Sequence, residues 1–392
     1  MILVINTGSS SIKIAVFERS SLQVLAEGLA QRLGEAEADL SWLIAGNKHE
    51  QQLLQATHQS AMAVMLDVLF SKLNQSAIIA VGHRVVHGGE LFVAPTVLDD
   101  LSITAIEGLS HLAPLHNPSN VIGIKAGIAA LPAVPHVAVF DTAFHQTMPS
   151  KASIYAVPYA WYEDYGVRRY GFHGTSHHYV GLQAAKLLNV AFENCKLITV
   201  HLGNGCSATA IKNGKSVDTT MGLTPLSGLV MGTRSGDIDP GIFSFVASQT
   251  GQSLGSITNT LNRKSGLLGI SGKSNDMRTL LAASADGDER ACLAVEIFCY
   301  DLAKTLAGLA VSLGQVDAII FTGGIGEHAA LVREKTLMQL AILGVQIDAE
   351  NNQHHGENSG GYISAKDSKV AALVVPTHEE KMIASYVCQV LN

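Results

Sequence analysis

The residues of this chain with chemistry to offer gather in short stretches where charged or hydroxyl side chains sit among glycines. The first is Asn6-Thr7-Gly8-Ser9-Ser10-Ser11, followed closely by Lys13. Glycine presents backbone N–H groups without an obstructing Cβ, and such concavities bind phosphate oxygens. The same stretch also reads as a plain hairpin turn, and Lys13 as either a point charge for phosphate or a solvated strand residue. Two further turns follow apolar runs in the same way: Gly203-Asn204-Gly205 and Thr322-Gly323-Gly324, the latter continuing as Ile325-Gly326-Glu327. Three such turns in one chain favour phosphate binding over coincidence. There is no Walker motif, and the 323–327 cluster lacks the third glycine of a dinucleotide fingerprint.

Arginines among small residues are the second signal. Arg84 lies in Gly82-His83-Arg84-Val85-Val86-His87-Gly88-Gly89-Glu90, and Arg234 in Met231-Gly232-Thr233-Arg234-Ser235-Gly236-Asp237. Arginine is rarely buried unpaired. Each is either a structural ion pair, to Glu90 or Asp237 for example, or a fork that grips a carboxylate or phosphoryl group in two-pronged fashion. His173 and His177 have the spacing of two metal ligands on a helix face. The Glu of H-E-x-x-H is missing, however, and Gly174 argues for a loop, so a zinc hydrolase is disfavoured. Asp141 follows a strand-like run and Glu379-Glu380 opens a helical one. Carboxylates so placed hold Mg²⁺, usually through water, although Glu379-Glu380 also suits a helix N-terminus.

These side chains need a scaffold, and its elements are legible. Residues 2–5, 137–140, 197–202 and 318–321 are apolar runs ending in small-residue turns, the pattern of buried strands feeding functional loops. Two continue into a second strand (12–17 and 207–211), and Lys212-Asn213-Gly214-Lys215 is a type I′ hairpin signal. Residues 77–81 also have the length of a core strand. Helical periodicity marks 292–313 and 380–391. The fold class is α/β. The strand–turn–strand pattern occurs near the start and again halfway along, which suggests a duplicated domain pair. The polar stretch 351–361 reads as a surface loop, its His354-His355 pair a metal tract in the sharper reading.

With 392 residues the chain exceeds one ordinary core. A net charge of −7 argues against a nucleic-acid binder. Five cysteines without C-x-x-C spacing fit a reducing cytosol rather than a disulfide framework. No basic leader precedes residue 2 and no apolar stretch approaches the roughly 20 residues of a membrane span, so a cytoplasmic protein is expected.

Taken in order, motifs at 6–13, 82–90, 113–118, 140–149, 168–177, 201–205, 216–240, 275–278, 321–327 and 376–380 closely resemble the acetate kinase family of acetate and propionate kinases, within the actin/Hsp70/sugar-kinase superfamily. The resemblance runs from residue 2 to residue 383. It implies two duplicated actin-like (ribonuclease H-like) α/β domains around a nucleotide cleft. Residues 1–150 would form the first, with a helix at about 380–392 packing back on it, and 151–379 the nucleotide-binding second. It implies that Asn6 and Glu379 hold Mg²⁺ or Mn²⁺, and that Ser9, Ser11 and Lys13 face the phosphates of ATP. His201, Leu202, Gly203, Asn204 and Gly205 would form a second phosphate hairpin. Asp276, Met277 and Arg278, with Gly323, Gly324, Ile325, Gly326 and Glu327, would wall the adenosine pocket. Arg84, Asp141, His173 and Arg234 match the catalytic set. Arg84 with Val86, Leu115, Phe172 and Pro225 would bind the substrate, the last four taking its methyl group.

The implied reaction is reversible, in-line phosphoryl transfer from ATP to acetate, giving acetyl phosphate and ADP, by a cytoplasmic homodimer with no nucleic-acid or membrane partner. A carboxylate substrate is already ionised at neutral pH, so Asp141 is expected to organise Mg²⁺ and its water rather than to abstract a proton. A propionate or butyrate kinase is the alternative within the family, with Val86 narrowing the methyl pocket towards acetate. A non-enzymatic ATP-binding chaperone or filament relative is the alternative of another class, but it would have no use for Arg84, His173 and Arg234. His328, His378, Ser227 and Leu223 depart from the family pattern, the two histidines beside the nucleotide and metal positions.

Overall fold

Ile2, Leu3, Val4 and Ile5 are apolar without alternation, as a strand covered on both faces requires. They open β1 (Ile2–Thr7) and all four are buried. The structure is a computed structural model that describes residues 1–8 and 10–392, so Ser9 lies outside the described residues. The chain divides into two compact units, Met1–Gln146 with His378–Asn392, and Thr147–Thr377.

In the first unit β1 turns back into β2 (Ser11–Phe17), and β3 (Val24–Gln31), β4 (Glu37–Ile44) and β5 (Asn47–Leu54) extend the antiparallel meander. On its other side β1 runs parallel to β6 (Ala80–Val85). The short β7 (Thr96–Val97) edges β8 (His136–Phe140), which is parallel to β6, and the full order is β5-β4-β3-β2-β1-β6-β8-β7. The second unit contains β9 (Lys196–Leu202), β10 (Cys206–Lys212), β11 (Lys215–Thr219), β12 (Ala318–Thr322) and β13 (Ala371–Val374), ordered β11-β10-β9-β12-β13. Strand for strand, and in every parallel or antiparallel pairing, this repeats β3-β2-β1-β6-β8. The duplication is topological. Between β10 and β11, Asn213 and Gly214 take φ of 55° and 72°, the left-handed pair a type I′ turn demands.

Both faces of the first sheet are covered. Leu3, Ile5, Ile12 and Ile14 pack with Met62, Met65, Leu66 and Leu69 of the helix His58–Lys72. On the opposite face Ile2, Val4, Ala15, Val137 and Val139 pack with Ile383, Ala384 and Val387 of the helix Glu379–Val390. Its seat depends on Gly82 in β6, where a Cβ would lie 2.7 Å from Ile383 Cγ2 and 2.8 Å from Val387 Cγ2. The last residues of the chain thus complete the core of a sheet that begins at its second residue.

Two expectations change. The run 77–81 is not one strand: Gln75–Ala77 is a 3₁₀ turn and Ile79 is half exposed. Pairing with β1 starts only at Ala80 opposite Ile2, so the strand continues into the polar His83 and Arg84. Nor is 351–361 simply a surface loop. Ala349–Gln353 is helical, and buried Asn352 accepts from Arg333 Nε at 2.8 Å, a guanidinium that needed an interior partner. No helix among the described residues is long and apolar enough to cross a membrane.

Ile383→Ala removes a wholly buried side chain from the first unit and is expected to cost about 2–4 kcal/mol there. Urea unfolding followed by Trp42 fluorescence, in a Trp161→Phe background, reads this unit alone. A loss below about 1 kcal/mol would show that the helix is not part of its core.

Candidate active site

Three neighbouring parallel strands bring the first charged group together. The pairings Ile5 with His83 and Val85 with Phe140 set Asn6, Arg84 and Asp141 side by side at the carboxyl ends of β1, β6 and β8. Arg84 donates from Nε to Asp141 Oδ1 (2.9 Å), from Nη2 to Oδ2 (2.6 Å) and from Nη1 to Asn6 Oδ1 (3.1 Å). Its partner is therefore Asp141, not Glu90. Burial works against the Arg84 charge, but the Asp141 carboxylate outweighs it and moves the pKa upward. Lys13 pairs with Glu380 at 3.0 Å, so its charge is engaged on the carboxylate side of this group. Ser11 Oγ lies beside Gly8, whose N–H donates to the Ser11 carbonyl at 2.8 Å and closes the described part of the turn.

Glu379 stands apart. Among the described residues its carboxyl has no hydrogen-bond or ion-pair partner, and burial raises its pKa to about 7; Arg84 and Lys13 oppose the rise, while Asp141 and Glu380 reinforce it. The charges of Asp141 and Glu380 reach this carboxyl, and an oxygen donor left without a protein partner is the kind a hard divalent cation takes, usually along with water.

Two residues not singled out from the sequence hold this region. Asn120 Nδ2 donates to the Thr7 carbonyl at 2.6 Å, and its Oδ1 accepts from Val86 N–H at 3.0 Å. Asn117 makes both a donor and an acceptor bond with the His87 backbone (3.0 and 3.1 Å). Both lie buried on the helix Asn117–Ala130. The available signal was two amides three apart, on either side of Pro118, at the start of a largely apolar helix. Of the residues assigned to the methyl group, Val86 is buried at 6% exposure and Leu115 is exposed at 52%; in the second unit Phe172 is buried at 2% and Pro225 is half-buried.

In the second unit the helix Gly174–Leu187 begins where a loop was expected. His173 takes the left-handed conformation (φ 56°) just before it, so Gly174 occupies the first helical position and breaks nothing. His177 is therefore on the first turns of that helix. The rings of His173 and His201 stack at 4.3 Å. At Gly205 a Cβ would lie 3.3 Å from Arg234 Nη1 and 3.6 Å from the His173 ring, so the hairpin, the arginine and the histidine form one group. Arg234 donates to the Pro225 carbonyl at 3.2 Å. Asp237 is not its partner: that carboxylate accepts from Ser227 Oγ (2.7 Å) and Gly228 N–H (2.8 Å). Arg234 is half-buried with no carboxylate partner among the described residues, and burial lowers its pKa.

A cavity of about 410 Å³ opens beside this group. Gly203, Asn204, Asp276, Met277, Arg278, Gly324, Ile325 and His328 line it, so the two wall segments and the hairpin converge. Asn275 Nδ2 donates to Asn204 Oδ1 at 2.9 Å and ties wall to hairpin. The Glu327 side chain turns back to accept from Gly323 N–H (2.9 Å) and Thr377 N–H (3.3 Å), and the Gly326 carbonyl accepts from Arg333 (2.8 Å). These two residues brace the wall rather than face the cavity.

The Acetokinase family model matches residues 1–385. The chain belongs to that family. It is 51% identical over 382 residues to a Deinococcus radiodurans protein named acetate kinase, covering 97% of this chain and 96% of the relative. A Shewanella baltica acetate kinase is 48% identical, covering 100% and 99%. Among solved structures, a propionate kinase from Francisella tularensis aligns with TM-score 0.93 at 45% identity, covering 98% of each chain. The Porphyromonas gingivalis acetate kinase aligns with TM-score 0.92 at 41% identity, covering 100% and 99%. The duplicated actin-like fold is thus that of acetate and propionate kinases.

The raised Glu379 pKa has a consequence for stability. Folded protein retains this proton up to about pH 7, whereas an unfolded carboxyl releases it near 4.5, so the stabilisation is complete below 4.5 and lost as pH rises through 7. With divalent metal chelated, Glu379→Gln is expected to melt at a higher temperature than the parent above pH 7 and at nearly the same temperature below pH 4.5. Equal melting temperatures at both ends, by differential scanning calorimetry, would contradict a desolvated, unpartnered carboxyl.

Proposed function

We propose that the chain catalyses reversible, metal-dependent transfer of the ATP γ-phosphoryl group to acetate, giving acetyl phosphate and ADP. The observation that carries this reading is Arg234, a half-buried guanidinium without a carboxylate partner, beside His173 and the Gly205 turn. Such a cation is arranged for an anionic ligand. In this reading the unit Thr147–Thr377 serves as the nucleotide domain, with adenosine in the cavity of Asn204, Met277 and Ile325. The unit Met1–Gln146 with its C-terminal helix supplies Arg84, Asp141 and the metal-side oxygens.

One acetate oxygen forms a bond to the γ-phosphorus as the bond from that phosphorus to the bridging oxygen of ADP breaks. No proton need be removed, because the nucleophile is already an anion. The barrier is electrostatic: two anions must approach, and charge spreads over the equatorial phosphoryl oxygens. Arg84, Arg234 and His173 are assigned to neutralising that charge. Asp141 orients Arg84 through both of its oxygens. Asn6 and Glu379 are the residues to hold Mg²⁺, which when bound supplies further charge neutralisation at the phosphates. Val86, Leu115, Phe172 and Pro225 are assigned to the substrate's methyl group. A homodimer in the cytoplasm is part of the same proposal.

Kinship with a named propionate kinase at 45% identity keeps propionate as the second reading. One methylene in an apolar pocket is worth about 1–3 kcal/mol. Acetate is therefore expected to lead propionate in kcat/KM by roughly tenfold, and Val86→Ala to narrow or invert that ratio. Propionate leading in the parent enzyme would make it the substrate.

Arg234→Ala should lower turnover by on the order of 10³-fold, measured in a coupled assay with ATP and acetate. A loss under about tenfold would remove Arg234 from the catalytic set. Retention of configuration at a chiral γ-phosphate would replace in-line transfer by a phospho-enzyme route.

A further inference from the structure

Tyr155 and Arg169 have no role in the proposed reaction, yet they join the two segments of the second unit assigned to the substrate's methyl group. A bridge between Ile154 and Arg168 sets them side by side, and Arg169 N–H donates to the Ser153 carbonyl at 2.7 Å. The guanidinium carbon of Arg169 stands 5.8 Å from the centre of the Tyr155 ring, a cation over an aromatic face.

From there both reach the chain at the end of β11. Arg169 Nη1 donates to three successive carbonyls, those of Thr219 (2.8 Å), Thr220 (2.6 Å) and Met221 (3.3 Å). The next carbonyl, of Gly222, accepts from the N–H groups of Tyr170 (3.1 Å) and Gly171 (3.3 Å). Leu223 N–H then donates to the Tyr155 hydroxyl at 2.9 Å. Thr219, Thr220 and Met221 are buried, and a buried backbone group that loses its partner costs free energy. The segment cannot slide either. A Cβ on Gly222 would lie 2.3 Å from the Tyr155 hydroxyl and 3.1 Å from Ser227 Cβ, so its backbone is in contact on two sides.

Phe172 follows Arg169 by three residues, and Pro225 follows Gly222 by three. We infer that Tyr155 and Arg169 are positioning residues that fix Phe172 relative to Pro225, and so help set how long an acyl chain the enzyme accepts. This rests on the proposed reaction and on the assignment of Phe172 and Pro225 to the methyl group. The Pro225 carbonyl is also the acceptor for Arg234, so the same segment carries both a pocket wall and a charge-neutralising group. One methylene in an apolar pocket changes relative rates by about tenfold or more, so a small displacement of either wall registers in substrate choice.

The test is the ratio of kcat/KM for acetate to kcat/KM for propionate in the full chain, at saturating ATP. Tyr155→Phe keeps the ring beside Arg169 and removes only the acceptor of Leu223 N–H. It should move the ratio towards propionate by about threefold or more, with KM for ATP within about twofold of the parent. Arg169→Met should move it at least as far. All three carbonyls are held by one nitrogen, and a lysine ammonium carries three donors, so Arg169→Lys should stay within about twofold of the parent ratio. A general loss of stability lowers activity on both acids alike and leaves the ratio where it was. A Tyr155→Phe ratio that is unchanged, or moved towards acetate, therefore overturns the inference, and this variant decides it even if Arg169→Met fails to fold. Arg169→Lys altered as much as Arg169→Met would overturn the three-carbonyl grip as the cause. A parent protein that phosphorylates neither acid would overturn the proposed reaction, and the inference with it; an active parent with an unresponsive ratio overturns the inference alone.

Discussion

The two-pronged ion pair of Arg84 with Asp141 is the interaction on which the first unit's site depends. A half-buried guanidinium is costly without a counter-charge, and removing one member of such a pair leaves the other stranded. Both oxygens of Asp141 are engaged, and the third bond of the fork goes to Asn6. That geometry is available only if β1, β6 and β8 lie adjacent, parallel and in one register. The requirement reaches further, because the sheet in turn needs the helix Glu379–Val390 to cover its second face. The same helix starts with Glu379, so the element that completes the core also delivers this half-buried carboxyl.

The two units solve opposite electrostatic problems. Around Arg84 the cations Arg84 and Lys13 face three carboxylates, Asp141, Glu379 and Glu380, so that once Glu379 ionises the group is short of positive charge. Around the Gly205 hairpin the balance is reversed, with Arg234 held through the Pro225 carbonyl and no carboxylate beside it. In the proposed reaction the first environment is assigned to a divalent cation and the second to phosphate. The matching strand orders of the two sheets show that this division was built on one topology used twice.

Polar groups buried around both sites are held by side chains that never need to touch a substrate. Asn117 and Asn120 satisfy the backbone at Thr7, Val86 and His87. Ser207, His177 and Thr199 do the same behind His173, and Glu327 and Arg333 brace the cavity wall. Buried polar groups cost free energy when unsatisfied, so these arrangements confer rigidity as well as order.

The sequence by itself determined the strands at 2–5, 137–140, 197–202 and 318–321, the Asn213-Gly214 turn and the two long helices. These depend on local apolar patterning and on which residues tolerate positive φ. It also singled out Arg84 and Arg234, since charge among glycines is visible without a fold, whereas catalytic roles for Asp141 and His173 came from the family resemblance. Tertiary structure alone decided who meets whom. Arg84 pairs with Asp141 and not with its sequence neighbour Glu90, Asp237 caps a loop instead of holding Arg234, and the stretch after His173 is a helix and not a loop. Each outcome turns on sheet register or on burial, and so on residues far apart in the chain. Burial also explains the raised Glu379 pKa, because the cost of desolvating a carboxylate is a property of its surroundings and not of its neighbours in sequence.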